Sequence, residues 1–207
     1  MAVDILRGGE AHNLLLRDTV KEWIAWIRLH RPSAGFLAPP CGTFSAWRHF
    51  FPWGSRTKEN PWGDRAHWKE VHGNTCVENS LDIGRAFDKV RTMWGWENPL
   101  TSAMWDITDI WSLLRAGAYS VAEFHWCEWG HPWRKPTRVI GRCRALSSLN
   151  RKCSRTHTHV VLEGQVKGPD GKWISRTALA AEYSAEWCDA YAQLVEESLE
   201  LPAGSSS

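Results

Sequence analysis

At 207 residues, 43% of them hydrophobic and 23% charged, the chain is long enough to bury a core and too apolar to remain globally unfolded. A net charge of +2 excludes a strongly polyelectrolyte protein. MAVDILRGGEAH has no basic-then-apolar leader pattern and no apolar run reaches bilayer length, which predicts an intracellular protein, nuclear in a eukaryote, with no membrane partner. In that reducing setting the six cysteines read as thiols or ligands. Most of the fifteen tryptophans read as core and half-buried surface, with a few available to stack on nucleobases.

In chain order, residues 3–6 (VDIL) read as a short strand. Asp18 is placed to cap a helix with Val20, Trp23, Ile24 and Ile27 on one face, ending before Pro32. GFLAPPC reads as a buried strand that stops at Pro39-Pro40. Residues 46–73 lack periodicity and read as a long loop, with Arg48, Arg56, Lys58 and Arg65 interleaved with Trp47, Trp53, Trp62 and Trp68. That loop is either a lid over nucleic acid or a solvated excursion anchored by tryptophan. A second helix is predicted over 75–93 with Ile83, Ala86, Phe87 and Val90 aligned, interrupted by Gly84. MWGWENP reads as strand and turn. Ser102 caps a third helix carrying Met104, Ile107, Ile110, Trp111 and Leu114, closed by Gly117. Strands follow at 119–125, 137–141 and 157–163, with a hairpin at GPDGK. A final helix begins at Ser184 with Trp187, Tyr191, Leu194 and Val195 inward, before a disordered tail at 201–207. Strands alternating with helices predict an α/β unit, in which Cys41 and Glu97 each follow a strand and could share one sheet edge.

Cys41 sits in Pro39-Pro40-Cys41-Gly42-Thr43-Phe44-Ser45, a rigid turn that would hold a thiol at a strand end, although most single cysteines are merely small core residues. Its surroundings resemble the cytosine-C5 DNA methyltransferase family. Pro-Pro-Cys with Phe-Ser is similar to the family's nucleophile motif, and Glu97-Asn98-Pro99 to its Glu-Asn motif. Asp4-Ile5 is similar to the acidic-apolar pair at the cofactor's adenine. Trp133-Arg134-Lys135-Pro136-Thr137-Arg138 stands where the family has a basic strand motif, with Arg134-Lys135 and Arg138 in place of Arg-x-Arg. The likeness spans residues 3–141 in the family's order.

The resemblance implies Cys41 as nucleophile at cytosine C6 and Glu97 as the acid holding the base, with Arg134 and Arg138 orienting base and phosphates. It implies S-adenosylmethionine as methyl donor, contacted by Asp4, Ile5 and Pro39. A flipped base requires phosphate contacts on either side, for which Ser45, Arg48, Arg142, Arg144, Arg151 and Lys152 are candidates. From His131 to Thr158 there are eight Lys or Arg and no acid, a strip suited to DNA phosphates or to plain solvation. The chain departs from the family in lacking the Phe-x-Gly-x-Gly cofactor turn, in Gly42 where Gln is usual, and in a final motif of which Thr177 to Tyr183 is a distant echo. A partner polypeptide supplying the cofactor half, or a fragment or decayed mobile-element copy, would each account for this.

A second constellation is Cys143, Cys153, His157 and His159. His-x-His on a strand turns both rings to one face, and two nearby cysteines would complete a zinc set, the alternative being surface histidines and buried thiols. Cys76, Cys127 and Cys188 read as core. The expected fold is a partial Rossmann-like methyltransferase sheet with flanking helices and a small basic C-terminal β segment: 1–141 truncated catalytic domain, 142–200 basic strands and helix of the same domain. The competing functions are a DNA (cytosine-5)-methyltransferase-like protein and an inactive nucleic-acid-binding module, zinc-stabilised or not.

Overall fold

The computed structural model describes residues 3–45, 52–115, 119–143, 145–168 and 171–200. Strands β1 (Ala34–Leu37) and β2 (Met93–Pro99) run parallel, Ala34 opposite Met93 and Leu37 opposite Trp96. A parallel pair needs a long crossover, and helix α3 (Trp68–Val90) lies within it. β4 (Pro136–Gly141) pairs antiparallel with β2, and β3 (Ser120–His125) antiparallel with β4, giving a mixed sheet in the order β1-β2-β4-β3. The protein is therefore mixed α/β, a four-stranded sheet with flanking helices.

Side chains alternate along a strand, so β2 sends Trp94, Trp96 and Asn98 to one face and Gly95 and Glu97 to the other. On the first face Leu37, Trp94 and Trp96 pack with α2 (Arg17–His30), α3 and residues 103–110 through Val20, Ile27, Val77, Leu81, Phe87, Met104, Ile107 and Ile110. On the second, Phe36, Ala122, Phe124 and Val139 meet Trp126, Trp129 and the inward side of α6 (Ala185–Glu200), chiefly Trp187, Tyr191 and Leu194. Most tryptophans thus serve the two cores, while Trp68 and Trp173 remain exposed.

Several local expectations change. Residues 3–6 form no strand. Asp4 instead caps a one-turn helix, α1 (Ile5–Gly8), its Oδ1 accepting from Leu6 N at 2.8 Å, and Leu6 is 92% exposed. With no sheet neighbour and nothing to bury against, an apolar dipeptide has no reason to extend. The α3 helix starts at Trp68, earlier than the apolar period suggests, because His67 Nδ1 accepts from Lys69 N and Glu70 is buried in its first turn. Gly84 belongs there for packing: a Cβ would stand 2.9 Å from the Trp94 ring. Asp18 lies in the first turn of α2 bonded to Lys21, not at its cap, which is Leu16. Ser102 caps a 3-10 turn, Ala103–Asp106, ahead of α4 (Thr108–Arg115). HTHVVLE is irregular, as is the whole stretch 152–164. β5 (Gln165–Lys167) and β6 (Trp173–Ser175) form the hairpin, followed by α5 (Arg176–Leu179). Gly117 and the tail 201–207 lie outside the described residues.

The β2–β4 contact is tightest at Gly141, where a Cβ would stand 2.4 Å from the Trp94 carbonyl oxygen. The obstacle is backbone in the centre of the sheet, so it cannot swing aside. Gly141→Ala is expected to destabilise the protein by about 2–3 kcal/mol, read as a fall in the urea midpoint at constant m-value.

Candidate active site at the ends of β1 and β2

β1 ends because Pro39 and Pro40 bring no N–H to a ladder. The chain then turns through a 3-10 helix, Gly42–Phe44, with Phe44 N donating to Cys41 O at 2.9 Å. Two buried groups hold this turn. From β2, Asn98 Nδ2 donates to Pro39 O at 3.0 Å. From the other side Arg56, 1% exposed, donates to Thr43 Oγ1 at 3.1 Å and lies 3.6 Å over the Phe44 ring. The same guanidinium reaches the Pro61 and Glu70 carbonyls and Asn74 Oδ1, which fastens the long loop to the start of α3.

Glu97 lies one residue before Asn98 and so on the opposite face of the sheet, 7% exposed. Tyr183 donates its hydroxyl to Glu97 Oε2 at 3.2 Å, while Oε1 has no partner among the described residues. Burial pushes the Glu97 carboxyl above the ordinary range, against the opposing pull of the Lys135 ammonium and the Tyr183 bond. Burial likewise raises the Cys41 thiol; Lys135 lowers it and the Glu97 charge raises it further. The Tyr183 phenol is raised chiefly by burial and Glu97, with a lesser contribution from Cys41. Cys41, Glu97, Tyr183 and Lys135 therefore feel one another's charge at the carboxyl ends of two parallel strands. Lys135 is fixed by donating from Nζ to Ala180 O at 2.6 Å.

The other site candidates are distributed differently. Arg138 pairs across the ladder with Asn98 and with Glu123, so its side chain leaves the sheet on the face opposite Glu97. There it bonds Glu123 Oε1 at 2.6 Å, between Trp105 and Trp111. Arg138, expected to orient base and phosphates, thus stands on the sheet face opposite Glu97. Arg134 acts on His125, whose basicity it lowers after burial does, and the cation near the thiol is its neighbour Lys135. Asp4 caps exposed α1 and Ile5 begins it, so neither lies on the strand expected for residues 3–6. Pro39 is buried in the turn and Ser45 half-buried after it.

Of the phosphate candidates, Arg142 is paired with Asp88 at 3.2 Å. Arg151 is paired with Glu186 at 2.6 Å and stacked on Trp129. Lys152 is exposed; Arg48 and Arg144 lie outside the described residues. In the long loop Arg65 pairs with Glu78 and Trp53 stacks on His67, so its described part is anchored to α3 rather than open.

Cys143 is buried in the core beneath α6 with Sγ 3.3 Å from Ser198 Oγ. Cys127 takes the place expected of it, gathering with Cys153, His157 and His159 so that one ligand atom from each lies within 4.8 Å of the others. The sequence does not mark Tyr183, Lys135 and Arg56 as partners of the turn: Tyr183 ends a weakly matching segment, Lys135 stands inside the basic strand motif, and Arg56 is one of the long loop's cations. No helix among the described residues is long and apolar enough to cross a membrane. No family model matches the chain, and no curated protein or solved structure is similar enough to count as a match.

Two outcomes test the coupling. Because its thiol is raised, Cys41 should alkylate with iodoacetamide more slowly than an ordinary thiol, at a rate still climbing above pH 9. Glu97→Gln should speed that alkylation about threefold and Lys135→Met slow it about threefold, by peptide mass spectrometry. An acid whose folded pKa is raised binds protons more tightly folded than unfolded, so its contribution to stability falls as pH rises from the unfolded value of about 4.3. Wild type should therefore lose stability relative to Glu97→Gln as pH rises above that unfolded value, the midpoint difference in urea providing the measure.

Proposed function

We propose that this chain carries the base-binding and nucleophilic part of a DNA (cytosine-5)-methyltransferase-like protein. The observation that carries the reading is half-buried Cys41 within reach of the charge of buried Glu97 at one sheet edge, with Glu97 Oε1 unpartnered among the described residues. Cytosine C5 reacts only after a thiolate has added at C6. A protonated carboxyl is the group that can donate to N3 and draw off the resulting charge. Burial shifts the Glu97 carboxyl towards its neutral form, and that form helps twice: it can donate to the base, and it opposes ionisation of Cys41 less than the carboxylate does. Tyr183 occupies Oε2 and leaves Oε1 for the ring, and Lys135 supplies the positive charge that favours thiolate. Glu97 is covered in this conformation, so a flipped base has to displace what lies over it.

S-adenosylmethionine is the donor the resemblance implies, and the residues present do not fit it. Asp4 Oδ1 is spent on Leu6 N and Ile5 sits on a surface helix. No methyl-transfer step is derived for this chain alone. β1 is an edge strand of the described sheet, a free parallel edge on which a partner polypeptide carrying the cofactor half could add strands. The same misfit favours the second reading, a nucleic-acid-binding module that performs no transfer.

Thiolate addition can be tested without cofactor. Attack of Cys41 at C6 makes C5 basic; C5 takes a proton from solvent, and loss of a C5 proton with expulsion of the thiolate restores cytosine. DNA carrying 5-tritiated cytosine should then release label to water. Cys41→Ser should abolish the release, and Glu97→Gln should slow it about 100-fold. DNA binding with no release above the Cys41→Ser background would replace the enzyme reading by the module.

A further inference from the structure

We infer that Cys127, Cys153, His157 and His159 form a closed, four-coordinate site for a zinc-like divalent cation that pins the segment 152–164 to the sheet. The ligand set is two sulfurs and two imidazoles, the donor chemistry of structural zinc. The spacing is right as well. With the usual Zn–S and Zn–N lengths, a tetrahedral ion separates sulfur and nitrogen ligands by about 3.5 Å. Cys153 Sγ stands 3.3 Å from His159 Nε2 and 3.8 Å from His157 Nε2. Cys127 completes the set within 4.8 Å.

One backbone donor is already aimed at a ligand sulfur. The N–H of Arg155 donates to Cys153 Sγ at 3.3 Å, in a turn that places Arg155 at φ 62°. The backbone N–H of Cys153 donates to His125 Nδ1 at 2.8 Å, and Ser154 N to Glu128 Oε1. Such contacts orient ligand-bearing backbone and lower the cost of holding charged sulfur.

Apart from the cluster, the segment is anchored by a few hydrogen bonds and by no packed core of its own. Residues 152–164 contain no helix or strand and no fully buried side chain, and Val160 and Val161 are exposed. Thirteen residues of that kind bury too little apolar surface to offset the cost of ordering them. Yet four ligands converge on one point, and Val160 N reaches Pro132 O at 2.8 Å. Pro132 lies in the connection that leads to Lys135. All four positions are taken by protein, so the site is structural, with no open position for a substrate. Binding would release the two thiol protons to solvent. This inference is independent of whether Cys41 adds to cytosine.

The test uses the full chain purified without added metal and analysed by elemental mass spectrometry. The expected result is about one zinc per chain. Replacement by Co²⁺ should give the intense visible bands of a tetrahedral S₂N₂ site, and a chelator should lower the Tm. Cys143→Ser should keep the metal and Cys127→Ser should lose it. His159→Gln, a milder change, should shift or weaken the cobalt bands should Cys127→Ser not fold. A folded wild-type chain that holds no zinc and gives no cobalt bands would overturn the inference. Metal retained in Cys127→Ser and lost in Cys143→Ser would overturn the ligand assignment.

Discussion

A buried hydrogen bond from Asn98 Nδ2 to the Pro39 carbonyl ties the end of β2 to the turn that follows β1. It replaces the ladder bonds that two prolines cannot make, and it does so where both strands run in the same direction and end together. Breaking it would leave a buried amide and a buried carbonyl unpaired, at a cost of about 1–3 kcal/mol. The larger consequence is positional. With the Asn98 side chain directed to one face, strand alternation puts Glu97 on the other, and the turn delivers Cys41 near it. Arg56 supports the far side of the same turn, so the turn that carries the thiol is held between two buried hydrogen-bonding groups.

The cost of that arrangement falls on Glu97. Its carboxyl is buried with one oxygen bonded to Tyr183 and the other left open, and Lys135 compensates its charge only from a distance at which a carbonyl already engages the ammonium. A protein under pressure for stability alone would place a glutamine or an apolar residue there. Perturbed, incompletely satisfied ionisable groups gather where chemistry or binding uses them, and here a raised acid stands beside a raised thiol. The tension between the two is informative. The Glu97 charge disfavours ionisation of Cys41, and burial disfavours that charge, so the neutral form of the acid is the one in which the thiol is freer to lose its own proton.

How much of this was legible in the sequence depended on whether the signal was local. The β1 and β2 segments were, because short apolar runs stopped by Pro39-Pro40 and by Glu97-Asn98-Pro99 end strands for reasons internal to them. The α6 face was legible from the spacing of Trp187, Tyr191 and Leu194. Asp4-Ile5 failed because a strand needs a neighbour, and the sequence does not say that none is at hand. The face taken by Arg138 was illegible for a different reason: it lies close to Lys135 along the chain, but the register with Asn98 decides its face, and register is a tertiary fact. Tyr183, far along the chain from Glu97, carried almost no sequence signal.

Cys127 shows how a ligand can hide in plain sight. It stands in Trp126-Cys127-Glu128-Trp129, a segment so aromatic that the cysteine reads as one more core residue. The segment folds as a 3-10 helix, Trp126–Trp129, in which positions three apart eclipse one another. Both tryptophans therefore enter the same core, each 1% exposed, and Cys127 is rotated off that face towards Cys153. Cys143 suffers the reverse fate. It lies two residues past the end of β4, in the buried cluster that includes Leu146 and Trp187, and its Sγ meets Ser198 Oγ of α6. Composition and proximity in sequence favoured Cys143 as the fourth member of the cluster. Helical geometry at one residue and burial in the core at the other exchanged the two, and strand periodicity set Glu97 and Arg138 on opposite faces of the sheet.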